Sequence, residues 1–197
     1  MKCAALILAA GASRRMGRPK ALLAFEGETF LDRLIGIFGR HCHETIVVLG
    51  HDADAIRAGM KRQAVFASND EPERGQLSSM QCGLAMLSGS ADAFLFTPVD
   101  YPAIRETTVP VLIEALKNDP QTLLAVPRYQ GRRGHPVACR ASLAAEFLAL
   151  PAEAQAREVI HRHADQTLYI DVEDAGTVTD VDDPAAYQRL LQAVPAL

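Results

Sequence analysis

The sequence has no CxxC pair, no apolar run long enough to cross a membrane and no excess of positive charge. Each absence removes a class of function. Cys3, Cys42, Cys82 and Cys139 are widely scattered, which excludes a zinc ribbon or redox dithiol and predicts reduced, mostly buried thiols. A formal net charge of -4 and a pI near 5.9 leave no overall basic field to bind nucleic acid by counterion release. Nothing approaches a membrane span. His41 with His43, and His161 with His163, lie in polar, charged surroundings near predicted helix ends, a setting that argues against metal ligation. No repeat, low-complexity tract or linker interrupts the chain. Its 197 residues, 49% hydrophobic, therefore predict one domain spanning 1–197 around one sizeable core.

What is present is concentrated in Leu8 to Leu23, LAAGASRRMGRPKALL. The run Ala4 to Leu8 before it is uniformly apolar and suits a buried strand of a parallel sheet. Ala9, Ala10, Gly11, Ala12 and Ser13 are small enough for a ligand to lie against bare backbone, where free N–H groups meet phosphate oxygens or a base edge. Arg14, Arg15, Arg18 and Lys20 then gather positive charge in an acidic chain. Together they predict a polyphosphate cradle. It is neither of two better-known phosphate loops. Gly11 and Gly17 have five residues between them and are followed by Arg18 and Pro19, unlike a P-loop. Only Gly11 sits in the turn, whereas a dinucleotide fingerprint needs three close glycines, which counts against a nicotinamide-dependent oxidoreductase.

The first dozen residues imitate a secretory signal, but the arginines just after the supposed cleavage point oppose its usual charge asymmetry. The expectation is a cytoplasmic protein. Further along, Thr29 with Asp32 starts a core-facing helix, Thr45 to Leu49 reads as a strand, Asp52 to Met60 as a helix and Ala64 to Ala67 as a strand. Gln76 or Ser78 starts the next helix, with Gly83 permitting close packing; Ala93 to Thr97 is a strand and Thr107 to Asn118 a helix. Alternation of this kind predicts an α/β fold: a Rossmann-like, mostly parallel sheet with helices on both faces and ligands at the strands' carboxyl ends. Leu123 to Pro127 is a further strand, and residues 128–140 predict a hairpin-like excursion over the site. Helices Ala141 to Leu150 and Glu153 to His163 and extended stretches Thr167 to Val172 and Thr177 to Val181 complete the expectation. Asp100 follows its strand directly, so its carboxylate either neutralises the basic loop or, in a phosphoryl-transfer site, holds Mg²⁺. Asp180, Asp182 and Asp183 repel one another unless a cation or a capped backbone relieves them.

The loop LAAGASRRMGRPKALL resembles the signature of the MobA-like nucleotidyltransferases, and its double alanine is most similar to the molybdenum cofactor cytidylyltransferases. GQLSSMQCGL (Gly75 to Leu84), FTPVDYP (Phe96 to Pro102), GRRGHPV (Gly131 to Val137) and TDVDDPAAY (Thr179 to Tyr187) occur in the family's order across nearly the whole chain. The resemblance implies transfer of CMP from CTP to a phosphate-bearing acceptor, molybdopterin first and a sugar 1-phosphate second, with loss of pyrophosphate. A catalytically silent nucleotide-binding protein is the third possibility. Ala9, Ala10, Gly11, Ser13, Gln76, Ser78 and Ser79 would contact the nucleotide, though Ser78 and Ser79 suit helix capping equally well. Lys20 would stabilise the α-phosphate and Arg15 the leaving pyrophosphate, while Asp100 and Asp182 would hold Mg²⁺. Asp183 becomes the N-cap of the last helix and Pro184 its first residue. Gly134, His135 and Pro136 would meet the acceptor, and many relatives carry Asn at the position of His135. No molybdoenzyme or chaperone partner is identified by the sequence.

Overall fold

Seven apolar residues in a row have no polar face to offer solvent. In the computed structural model, which describes residues 1–193, Cys3–Ala9 forms β1, buried along its length and paired on both sides. The basic loop follows, then a small hairpin of β2 (Ala24–Phe25) and β3 (Glu28–Thr29) leading into α1 (Phe30–Gly39). The Thr29 hydroxyl accepts from the Asp32 amide at 3.0 Å and caps that helix. Strand and helix then alternate through β4 (Glu44–Leu49), α2 (Ala53–Gly59), β5 (Val65–Ser68), α3 (Gln76–Ala85), β6 (Ala93–Pro98) and α4 (Thr108–Asn118). After them come β7 (Leu124–Tyr129), β8 (Arg132–Arg133), β9 (Val137–Arg140), α5 (Ala144–Leu148), α6 (Arg157–Arg162), β10 (Thr167–Asp171) and α7 (Pro184–Ala193).

The main sheet runs β10-β7-β9-β6-β1-β4-β5, with β8 paired to β7. Neighbours are parallel except around β9, which opposes both β6 and β7, and at the short β7–β8 hairpin. Side chains alternate across β1, so the two sheet faces bury different helices. Ala5 and Ile7 pack with Phe30, Leu34 and Phe38 of α1, Leu112 of α4 and Tyr187 of α7. Leu6 and Leu8 pack with Met80 and Leu84 of α3, Phe147 of α5 and Val159 of α6. Helices on both faces leave the carboxyl ends of β1 and β6 at one open rim. Among the described residues no helix is long and apolar enough to cross a membrane.

The hairpin at 128–140 is present: a tight turn at Gln130 and Gly131, with φ of 48° and 80°, joins β7 to β8, and the apolar run Val137, Ala138, Cys139 continues as β9 in the sheet. Two expectations need correction. The two late helices are shorter: Ala141–Leu143 is a 3-10 turn, α5 stops at Leu148 because Pro151 excludes Leu150 from helical geometry, and α6 begins only at Arg157. Finally, Thr177 to Val181 is not a strand. Ala175–Val178 is a 3-10 turn, since the Asp174 carboxylate accepts from the Gly176 amide at 2.9 Å and the Asp174 carbonyl from the Thr177 hydroxyl at 2.8 Å.

Candidate active site

The loop after β1 is shaped by its own small residues. Ser13 has φ of 48°, the turn Arg14–Met16 follows, and Gly17 at φ of 66° turns the chain back. The Ser13 hydroxyl accepts from the Lys20 amide at 3.0 Å, closing the loop on itself. Ser13 thus positions Lys20. The Lys20 side chain is only 13% exposed, and its ammonium donates to Asp182 Oδ1 at 2.6 Å and Asp100 Oδ2 at 3.1 Å. Arg15 donates to Asp182 Oδ2 at 3.0 Å. Three separated segments are therefore brought together by charge.

The two carboxylates sit in different surroundings. Burial pushes the Asp100 carboxyl above its ordinary pKa; Lys20 opposes that shift, and the nearby Asp182 and Asp180 charges add to it. Asp100 Oδ1 is buried without a hydrogen-bond partner, while the Asp100 carbonyl accepts from the Val181 amide at 2.9 Å. Asp182 is held below the usual range by its hydrogen bond to Lys20, with Arg15 contributing. Burial and the neighbouring carboxylates raise the Tyr101 phenol to about 12, so it stays neutral. Asp183 caps α7 by accepting from the Ala186 amide at 2.7 Å, with Pro184 opening the helix.

Arg15, Lys20, Asp100, Tyr101 and Asp182 line a cavity of about 510 Å³ that also includes Ala9, Ala10, Gly11, Ser13, Gln76, Ser79, His135 and Asp180. Its position at the ends of parallel strands is where open α/β sheets receive ligands. Ser78 does not line it. Its buried hydroxyl donates to the Gly75 carbonyl at 2.8 Å and accepts from Asn69, which also donates to Ser79 at 2.9 Å. Ser78 is therefore committed to the turn before α3, whose N-cap is Gly75 without a side-chain cap, and Ser79 alone of the pair reaches the cavity wall. Pro136 is buried away from the cavity, and Gly134 is packed so closely under the Thr177 carbonyl that a Cβ would lie 2.2 Å from its oxygen. His135 faces the ring of Tyr101 at 4.7 Å. Burial takes its imidazole down to about 4, only partly offset by the Phe96 carbonyl, so the ring is neutral. Arg18 lies outside the cavity, whereas Arg14 lines it.

Sequence reasoning missed the supports of this site. Asn69 clamps the start of α3. Asp174 accepts from the Arg105 amide at 2.9 Å and the Thr108 hydroxyl at 2.6 Å, and the turn it nucleates lets Thr177 accept from the His135 amide at 2.8 Å. Asp174 thereby ties the segment after Asp100 to the segment bearing His135. The turn itself has a local signal, an Asp two residues before a Gly, but the tie to Arg105 and Thr108 has none, since those partners lie far away along the chain.

A small-residue basic loop facing aspartates at the ends of parallel strands is the architecture of a nucleotidyltransferase. The chain belongs to the MobA-like NTP transferase domain family, whose description matches residues 5–167. It is 32% identical, over 94% of its own length and 95% of the relative's, to the nicotine blue oxidoreductase of Paenarthrobacter nicotinovorans. It is 24% identical to a "Probable molybdenum cofactor guanylyltransferase" of Bacillus mycoides (strain KBAB4), covering 67% of this chain and 64% of that relative. The crystal structure of Rv0371c from Mycobacterium tuberculosis H37Rv superimposes with a TM-score of 0.85 at 26% identity over 97% of both chains. A manganese complex of the same mycobacterial protein aligns with a TM-score of 0.75 at 24% identity, covering 98% of this chain and 100% of that one.

Proposed function

We propose that this chain transfers CMP from CTP to the phosphate of a small-molecule acceptor, with molybdopterin the leading candidate, and releases pyrophosphate. The observation that carries the reading is the Lys20 ammonium held between Asp100 and Asp182 in the wall of a cavity that Ala9, Ala10 and Gly11 also line. An acceptor phosphate oxygen attacks the α-phosphorus, the new P–O bond forms as the bond to the β-phosphate oxygen breaks, and its electrons leave on pyrophosphate. The acceptor phosphate is already anionic near neutral pH, so alignment and charge neutralisation are the main tasks. Lys20 moves its charge to the α-phosphate, Arg15 holds the departing pyrophosphate, and Gln76 and Ser79 read base and ribose.

Asp100 and Asp182 suit Mg²⁺, a hard cation that takes one or two carboxylates together with substrate phosphates, and the partnerless buried Asp100 Oδ1 fits such a role. When bound, Mg²⁺ supplies neutralisation of the phosphate oxygens. Base preference for cytosine rests on the resemblance of the double alanine, Ala9 and Ala10, to the cytidylyltransferases; Ala10 is buried and lines the cavity.

Pyrophosphate release from CTP, GTP, UTP and ATP, with Mg²⁺ and a panel containing molybdopterin and sugar 1-phosphates, tests the assignment. A sugar 1-phosphate as preferred acceptor would replace molybdopterin. No release with any combination would leave the catalytically silent reading. The near full-length likeness to an oxidoreductase favours one second reading, redox chemistry on the same scaffold. NADH or NADPH consumption without pyrophosphate release would select it.

A further inference from the structure

Asp100 and Asp182 carry two carboxylate oxygens each, and all but one of these are already held by the chain's own cations. Lys20 donates to Asp182 Oδ1 at 2.6 Å and to Asp100 Oδ2 at 3.1 Å, and Arg15 donates to Asp182 Oδ2 at 3.0 Å. Asp100 Oδ1 is left, buried and without a partner. A hard divalent cation collects several oxygens and sheds its water reluctantly, so a single protein oxygen makes a poor site. Binding at both carboxylates requires one of the two side chains to move away. They are not equally free to do so. The Lys20 side chain is buried, holds both carboxylates at once, and has its backbone amide tied to the Ser13 hydroxyl at 3.0 Å. The Arg15 side chain is 65% exposed, and among the described residues Asp182 is the one carboxylate it pairs with. An exposed pair of this kind is a weak hold, whereas a guanidinium meets phosphate oxygens through paired, charge-assisted hydrogen bonds. Arg15 also lines the larger cavity, where an entering polyphosphate meets it directly.

We propose that Arg15 is a guard on the ion site: it occupies Asp182 Oδ2 until a nucleoside polyphosphate takes its guanidinium, and only then do both carboxylates accept a divalent cation. One side chain that changes partner thus couples the two ligands, and each strengthens the binding of the other by the same factor. Lys20 keeps its own two oxygens through this exchange. The free chain is thereby protected from holding an ion before the nucleotide that needs it has arrived. The proposal rests on the ion-holding role given above to Asp100 and Asp182, but the guard itself is measured as ion binding without turnover.

The test titrates the full chain with Mn²⁺, whose paramagnetic resonance signal reports the free ion, in the absence of any phosphate. Arg15→Ala should bind Mn²⁺ about threefold more tightly than wild type, because Asp182 Oδ2 no longer has to be released. Arg18→Ala removes the same charge outside the cavity and should match wild type, which separates the ion pair from a general loss of positive field. Asp182→Asn added to Arg15→Ala should abolish the gain. With CTP present, the rise in nucleotide affinity on adding Mn²⁺ should be about threefold smaller in Arg15→Ala than in wild type. Mn²⁺ affinity in Arg15→Ala that equals or falls below the wild-type value overturns the proposal, as does an equal Mn²⁺-dependent gain for CTP in the two proteins. A gain that survives Asp182→Asn places the ion elsewhere and overturns it too. The transferase reading fails separately: a protein that releases pyrophosphate while its Arg15→Ala variant binds Mn²⁺ no better loses the guard alone.

Discussion

Lys20 donates to Asp182 at 2.6 Å across 162 residues of sequence, so the loop after β1 and the segment before α7 meet through this cation and, at the other carboxylate oxygen, through Arg15 at 3.0 Å. Because nucleotide would draw the Lys20 ammonium away from its carboxylates only as charge develops, its main effect belongs to the transition state. Lys20→Ala should lower kcat by about a hundredfold or more with a smaller rise in the nucleotide KM. Arg18→Ala, outside the cavity, should alter affinity slightly and only at low salt. Steady-state kinetics at two salt concentrations, with folding checked by circular dichroism, decides between them. A pure KM effect at Lys20 would remove it from the chemistry.

Asp100→Asn tests the carboxylate itself. The change keeps size and removes a charge that burial already disfavours, so the fold should persist while turnover falls about a hundredfold. Wild-type turnover at saturating CTP and Mg²⁺ would end its assignment as an ion-holding group.

Base choice is measurable without an acceptor. CTP with Mg²⁺, at about 100 times its Kd, should stabilise the native state by about 2.7 kcal/mol and exceed GTP, UTP and ATP at the same concentration. Ala10→Gly should narrow the gap to GTP. A larger thermal shift with GTP in the wild-type protein would overturn the cytidylyl assignment.

The path from sequence to site was readable where the signal was local. An apolar run led to β1, small residues led to the turn after it, and Thr29 with Asp32 led to a helix cap. Strand direction was not readable at β9, because Val137 to Cys139 carry the same apolar pattern whether they run parallel or antiparallel. Ser78 had the residue type of a nucleotide contact at the right helix end, yet its committed hydroxyl depends on Asn69 from another loop. Thr177 to Val181 has strand propensity, but Asp174 offers closer hydrogen bonds than a sheet edge would.

His135 carries a pH signature. Its ring stays neutral down to about 4, whereas the unfolded chain takes up that proton near 6.5. Between those values the unfolded state binds more protons, so stability is full above about 6.5 and falls as the pH drops towards 4. Below 4 this contribution changes no further. Melting temperatures of the wild type and His135→Asn across pH 4 to 7 should converge or cross as the pH falls, because the variant lacks this loss. Parallel profiles would mean that the imidazole titrates in the folded protein as it does in the unfolded chain.

Two glycines separate what the fold needs from what the ligand needs. A Cβ on Gly176 would lie 1.9 Å from the Ala103 carbonyl oxygen, and backbone on both sides leaves little room to yield. Gly176→Ala should therefore cost about 1–3 kcal/mol of stability and disturb turnover by displacing both the Asp100 and His135 segments. Gly11 is the opposite case. No atom lies within 4 Å of its Cβ position, yet the residue lines the larger cavity, so a methyl there meets only what enters from solution. Gly11→Ala should leave the urea midpoint unchanged or slightly higher while weakening CTP stabilisation and raising the nucleotide KM. Equal nucleotide affinity in Gly11→Ala and wild type would show that phosphate or base does not approach this backbone, and the cradle would have to bind through its side chains alone.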